Sequence, residues 1–244
     1  MSIQRDEILR CARSLYRREG FGGMSMRKLA KCVGCTAPAL YRHYESKEAV
    51  MRDVVGDAYR LFVQYLHRAL EGTSPEERFA MGGKAYMDFA LEQPALYEAL
   101  YVPSDLLGIQ PEVGSEAATH ACAVGQFWTD RVREMMDTGF LVKGDPRSVS
   151  LTLWAHGHGL VSLYHRGLLQ GISEEEFRAL LLRSYGQLLR GIATKKYLDQ
   201  LARDPSEDAR EIRATPPAQD EIRPATEMYE KSPSAPVTRE EVGS

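Results

Sequence analysis

The sequence predicts an all-α fold, on three observations. Apolar residues recur at helical spacing from the first residues to about 198, and no sustained period-2 alternation bounded by turn residues accompanies them. Helix-cap signals punctuate that stretch: Ser, Thr or Asp ahead of the periodic runs, Gly behind several of them. Apolar residues make up 43% of the 244, enough to bury a sizeable core.

The first helix is predicted over about 4–19, with Ile8, Ala12 and Leu15 on one face and Arg5, Arg10, Arg13 and Arg17 largely on others, closed by Gly20, Gly22 and Gly23. Ser25 is placed to cap a second helix over 26–33, which Gly34 ends. Thr36 caps a third, very short helix through about His43, with Pro38 tolerated in its first turn. Ser46 caps a long fourth helix, striped by Val50, Val54, Ala58, Leu61, Phe62, Tyr65, Leu66 and Ala69 before Gly72. Ser74-Pro75-Glu76-Glu77 and Ser173-Glu174-Glu175-Glu176 read as capping boxes, and Asp145-Pro146 as a cap with proline at the first helical position. The helix predicted over 146–166 is apolar around most of its circumference and so needs cover on several sides. From about 203 the composition changes, and six of the twelve prolines fall between 205 and 236. The predicted organisation is an N-terminal domain over 1–46, a second helical domain over 47–200 with 47–70 connecting, and a disordered tail over 201–244.

Net charge is only -3, but its distribution is uneven. Residues 1–70 carry 13 Lys or Arg against 7 Asp or Glu, and the remainder 18 against 27, so a basic head sits on an acidic body. No run approaches the ~20 apolar residues of a membrane span, and the first residues lack a signal peptide's basic and then apolar segments. A cytoplasmic protein without a membrane partner is expected. Four cysteines (Cys11, Cys32, Cys35 and Cys122) within helical patterns or turns predict reduced thiols.

Two short helices joined by Gly34-Cys35-Thr36 have the size of a helix-turn-helix, whose second helix enters the major groove of DNA. Met26-Arg27-Lys28-Leu29-Ala30, followed by Leu40-Tyr41-Arg42-His43-Tyr44-Glu45-Ser46-Lys47-Glu48-Ala49-Val50, closely resembles the N-terminal region of TetR-family regulators over about residues 5–65. The resemblance implies an all-helical protomer, a homodimer on double-stranded operator DNA, and a recognition helix from Thr36 through Tyr44. Leu40 and Tyr44, one turn apart, are expected to face the core with Leu29, Val33 and Phe21. That leaves Ala37, Pro38, Ala39 and Arg42 for the groove, while Thr36, Tyr41, His43 and Lys47 can donate to phosphate oxygens. Within this helix Arg42 alone offers the bidentate geometry that suits guanine.

Cys35 stands where the resemblance leads one to expect an aliphatic residue, and with Cys32 it makes a C-x-x-C. It is read as a small hydrophobe packing the turn, with a redox or metal pair as the alternative. No second Cys or His pair lies at zinc-finger spacing, and no metal or cofactor is expected.

Trp154-Ala155-His156-Gly157-His158-Gly159-Leu160-Val161-Ser162-Leu163, with the upstream Gln93-Pro94-Ala95-Leu96-Tyr97, resembles the C-terminal regulatory domain of a TetR subgroup named for a Trp-His-Gly motif, over about 75–195. This implies that helices 146–166 and 173–193 pair with their counterparts in a four-helix dimer interface, to which Leu153, Trp154, Leu160, Leu181 and Leu188 are assigned. Between head and dimer helices, Tyr86, Phe89, Tyr97, Tyr101, Phe127, Trp128 and Met135 fit either ordinary core or a pocket for a small, mostly apolar effector. His156 and His158, two apart on a helix, point to different faces, which favours packing or a polar contact over a shared metal. No H-E-x-x-H or G-x-S-x-G motif is present, so an enzyme is not the expected reading. The expected function is repression, relieved when an effector moves the helix over 46–70 and spoils the spacing of the two recognition helices.

Overall fold

The computed structural model describes residues 5–102 and 116–214, and among them no strand is present. Eleven α-helices are ordered along these residues: α1 (Arg5–Gly23), α2 (Met26–Val33), α3 (Ala37–Tyr41), α4 (Lys47–His67, extended by a 3-10 turn over Arg68–Glu71), α5 (Pro75–Glu92), α6 (Pro94–Ala99), α7 (Glu116–Asp137), α8 (Pro146–His165), α9 (Glu174–Ile192), α10 (Lys195–Arg203) and α11 (Glu207–Arg213).

The caps read from the sequence hold the helix starts. Ser25, Ser46, Ser74, Asp145 and Ser173 each accept a hydrogen bond from a backbone N–H two or three residues on. The reciprocal capping box is complete at Ser173, whose own N–H donates to Glu176. At Ser74 it is altered: Glu77 accepts from the backbone N–H and hydroxyl of Thr73, at 2.7 Å each, rather than from the Ser74 N–H. Gly20 interrupts α1 in the left-handed region (φ 65°), where a Cβ is costly. Gly34 (φ 76°) closes α2 in a Schellman arrangement: its N–H bonds Lys31 O, and the Cys35 N–H bonds Ala30 O at 2.9 Å. The third helix ends two residues earlier than expected, since after Tyr41 the chain continues as a turn in which His43 and Tyr44 both donate to Leu40 O.

One hydrophobic core runs from Ile8, Leu29 and Leu40 in the head through Val50 and Phe62 of α4 to Phe89, Tyr97, Val161 and Phe177 in the body. Head and body therefore share packing, and α4 touches α1, α5, α6 and α7. A second cluster at the far end gathers Val132, Met135, Phe140, Leu153, Leu189 and Tyr197.

The ordered chain runs past the boundary expected at 200. Residues 195–203 and 207–213 are helical because Thr194 and Ser206 cap them and because α11 packs on α9, with Ala209 buried and Arg183 paired with Glu211 at 2.6 Å. The remainder of the predicted tail, from 215, lies outside the described residues. Gly186 permits this docking: a Cβ built there would overlap the Ile212 carbonyl. Gly186→Ala is expected to undock α11 and leave the rest folded, read as loss of amide protection confined to about 204–214 and the facing turn of α9.

Candidate nucleic-acid interface and effector cavities

The helix-turn-helix is held by its inward side chains. Leu29 and Leu40 are fully buried, and Val33, Phe21 and Tyr44 pack against the same core. The Tyr44 hydroxyl donates to Asp53 on α4 at 2.6 Å, and Arg5 pairs with the same carboxylate at 3.1 Å, so α1, α4 and the turn after α3 meet at one polar knot. Burial, and then the Asp53 hydrogen bond, push the Tyr44 hydroxyl well above its ordinary pKa, so it stays a donor.

The structure divides the residues assigned to DNA. Pro38, Tyr41, Arg42 and His43 are exposed, Tyr41 by 53%. The side chains of Arg42 and His43 have no hydrogen bond or ion pair among the described residues. Thr36 is exposed, but its oxygen accepts from Ala39 N–H as the cap of α3, which leaves its hydroxyl proton to donate. Ala37 and Ala39 are half-buried, with Ala37 packed on the core. Lys47, assigned to phosphate, instead folds back on the head: its Nζ donates to Phe21 O at 3.1 Å and lies 4.2 Å from the Phe21 ring centre. Sequence reasoning missed Arg27 and Lys31, one turn apart on α2, both exposed and without an ion pair among the described residues. Their i, i+4 spacing was the available signal. Lys28 between them is occupied, by Glu19 at 2.5 Å and Gly23 O at 2.8 Å.

Behind the head, two cavities among the described residues share a wall made of Trp128, Ser150 and Trp154. The smaller, about 110 Å³, sits among α5, α7, α8 and α9, with Tyr86 and Tyr185 in its lining and Ile212 of α11 at its edge. The larger, about 790 Å³, lies between α4, the end of α6, α7 and α8: Tyr59, Phe62, Leu100 and Tyr101 line it, and Arg133, Arg147 and Gln126 bring polar groups. The Trp128 indole N–H is buried with no hydrogen-bond partner among the described residues.

Of the seven side chains assigned to an effector pocket, Tyr86, Tyr101 and Trp128 line a cavity. Phe89 and Met135 line neither, because both are fully buried in the two cores, and Phe127 packs edge-on against Trp128. Tyr97 stands one layer behind. Its hydroxyl shares a 2.6 Å hydrogen bond with Tyr86 and a 2.8 Å bond with Nδ1 of His158. Burial, assisted by Arg166, lowers the His158 pKa, and burial raises those of both tyrosines. With the imidazole neutral and Nδ1 accepting, Tyr97 donates to His158 and Tyr86 to Tyr97, a chain linking α5, α6 and α8. Tyr97→Phe breaks it and leaves the half-buried His158 nitrogen and the buried Tyr86 hydroxyl without that partner, with an expected cost of about 1–3 kcal/mol in urea unfolding at unchanged m-value. His156 turns to another side, where its Nε2 meets Ser184 Oγ at 2.6 Å, so the two histidines serve separate contacts.

The side chains assigned to the interface also divide. Leu153 and Leu181 are 8% and 1% exposed within the single chain and point into its cores; Trp154 lines the cavities, and Leu160 and Leu188 are half-buried against core residues. The outward row of α8 is Leu151, Ala155, Gly159 and Leu163, spaced by four, with Leu151 58% and Leu163 40% exposed.

Residues 8–54 match the family model for bacterial regulatory proteins of the tetR family, and residues 79–185 match that for the tetracyclin repressor-like C-terminal domain. The chain is 26% identical over 182 residues to an uncharacterized HTH-type transcriptional regulator of Mycobacterium tuberculosis, covering 74% of this chain and 79% of that one. It is 32% identical over 76 residues to the HTH-type transcriptional repressor KstR2 of Mycolicibacterium smegmatis, covering 31% of this chain and 37% of the repressor. Among solved structures, a Rhodococcus protein of unknown function superposes with a TM-score of 0.62 at 25% identity, over 78% of this chain and 95% of the other. The ketosteroid transcriptional regulator KstR2 of Mycobacterium tuberculosis superposes with a TM-score of 0.64 at 19% identity, over the same two shares, and shares the fold. With its head and its body each matched by a model of the same family, the chain belongs to the TetR family of transcriptional regulators.

Proposed function

We propose that the chain acts in the cytoplasm as a homodimeric repressor, released from a palindromic operator by a small, mostly apolar effector. The observation that carries this reading is the shared core: the exposed residues of the helix-turn-helix and the cavity lined by Tyr59, Phe62 and Tyr101 are two faces of α4 and its neighbours. A ligand in that cavity presses on α4 and the end of α6, and α6 packs on α1. Arg42, Tyr41, His43 and the edge of Pro38 meet the major groove, while Arg27, Lys31 and Thr36 contact phosphate. The larger cavity suits an apolar body with an acceptor for the Trp128 N–H and an anionic or polar end for Arg133 or Arg147. A symmetric pair places two recognition helices about 34–36 Å apart, on successive major grooves. The outward row of α8, beside α9, is the self-complementary face of that dimer.

The test is selection of bound fragments from randomised duplex DNA by the full-length protein, followed by sequencing. An inverted repeat with half-site centres about one helical turn, or a small multiple of it, apart is expected. Enrichment of no sequence, or of unpaired half-sites, overturns the reading.

A further inference from the structure

The head contains chemistry that neither DNA reading nor effector binding uses. Cys11 and Cys32 are joined as a disulfide, with Cα atoms 5.8 Å apart and the two residues 21 positions apart in sequence, contrary to the reduced thiols expected from the sequence. The C-x-x-C is therefore not the pair. Cys35 is a free, half-buried thiol that packs in the turn after α2, and Cys122 is free and exposed on α7.

The two ends of the bridge lie in unlike surroundings. Cys11 is fully buried on the inner face of α1, whereas Cys32 is exposed near the end of α2. Exchange proceeds by attack of a thiolate on one sulfur of a disulfide, and access decides which sulfur is attacked. Here that sulfur is Sγ of Cys32. The bridge also sits at a mechanical junction. α1 is held on the body through α4 and α6, while α2 packs chiefly on α1 and α3, so the bridge ties the DNA-reading helices to the anchored one. A protein that works on DNA shares its surroundings with thiol reductants, among which disulfides are usually transient or redox-sensing.

We propose that Cys11–Cys32 is a thiol–disulfide exchange site, reached at Cys32 by low-molecular-weight thiols and disulfides, whose redox state sets how firmly the DNA-reading helices are held. Reduction takes two steps. A small thiolate attacks Cys32 Sγ, a mixed disulfide forms there, and the Cys11–Cys32 bond breaks with Cys11 leaving as thiolate and taking a proton. A second small thiolate then attacks the outer sulfur of the mixed disulfide, releasing Cys32 as thiolate and the small disulfide. In total two thiols lose two electrons and two protons to the protein, which gains two thiols; a small disulfide drives the reverse. The bridged head is pre-organised for the groove, so the oxidised form binds operator tighter. A tenfold difference corresponds to the tied arrangement falling to about one tenth of the population on reduction.

The test equilibrates the full-length protein with mixtures of reduced and oxidised glutathione, quenches with acid, and counts alkylated thiols by mass spectrometry after denaturation. The oxidised limit is expected to leave Cys35 and Cys122 outside the bridge, as thiols or as glutathione adducts resolved by mass, and the reduced limit to leave four free thiols. Operator binding is measured on the same samples by fluorescence anisotropy, with about tenfold weaker binding expected for the reduced form. Cys32→Ser should bind like the reduced protein at every glutathione ratio, and Cys35→Ser should keep the full response. Four free thiols at the oxidised limit, or a bridge involving Cys35, overturn the site. A bridge that opens and closes without changing operator affinity overturns its coupling to DNA. Binding in neither redox state sinks the proposed DNA reading itself, and the coupling with it, while the thiol count still decides the exchange site.

Discussion

An Ala155→Arg protein is expected to fold and to run as a monomer that has lost most of its operator affinity. Ala155 lies in the centre of the outward row of α8, between Leu151 and Gly159, and its side chain meets solvent in the single chain. The substitution costs the protomer little, because an exposed helix position accepts arginine. In the proposed dimer the same position faces its symmetry mate near the two-fold axis, so two guanidinium groups are brought together and desolvated without a carboxylate, at a cost of several kcal/mol. A monomer then reads one half-site. Losing the second, tethered head removes an avidity of roughly 10²–10⁴. The contrasting variant is Leu181→Asp. Leu181 is 1% exposed and joins the large core of a single chain, so a charge there unfolds the body instead of parting the protomers. Sedimentation velocity with circular dichroism separates the two outcomes. An Ala155→Arg dimer, or a folded Leu181→Asp monomer, would move the interface away from this face.

How legible these features were in sequence depends on how local their causes are. A cap is decided within four residues, so Ser25, Ser46, Asp145 and Ser173 announced their helices, and even the altered box at Ser74 kept its helix start. Burial around a helix is decided by neighbours far along the chain. That is why Leu153 and Leu181 could be recognised as apolar face residues while their burial within a single chain could not. The same limit applies to Phe89 and Met135, whose aromatic and thioether character suits core and pocket alike. The Cys11–Cys32 pairing was illegible for a related reason: spacing drew the eye to Cys32 and Cys35, whereas contact between α1 and α2 sets the pair. Residues 203–214 looked like tail because the composition turns to Pro, Ser, Glu and Arg with few large apolar residues; their order comes from the Ser206 cap, the close approach to α9 at Gly186, buried Ala209 and the pair of Arg183 with Glu211.

Arg42→Ala and Lys47→Ala are expected to differ in kind as well as in size. Arg42 is exposed just past α3, unpaired among the described residues, and its guanidinium has the planar fork that matches guanine O6 and N7. Losing one such pair costs about 1–3 kcal/mol, and a dimer loses it at both half-sites, so binding to the true operator is expected to weaken by about 2–6 kcal/mol. Operators substituted at the contacted base lose less, which flattens discrimination at that position alone. Lys47 acts differently, because its Nζ is engaged with the Phe21 carbonyl and ring. Its removal loosens the junction between α1 and the start of α4, lowering head stability by about 1 kcal/mol, with the cation–ring contact and the hydrogen bond as the sources. DNA affinity then falls by one common factor for all sequences. The slope of log affinity against log salt separates two roles for Lys47. A lysine that also touches phosphate lowers the slope by about 0.9 per contact, and one that only braces the head leaves it unchanged. The fold-back geometry predicts the unchanged slope. Anisotropy titrations of both variants against a set of single-base operator changes, at three salt concentrations, give every quantity needed. An Arg42→Ala protein with an intact preference profile would place that side chain on the backbone, and a reduced slope for Lys47→Ala would show that the lysine swings out to DNA on binding.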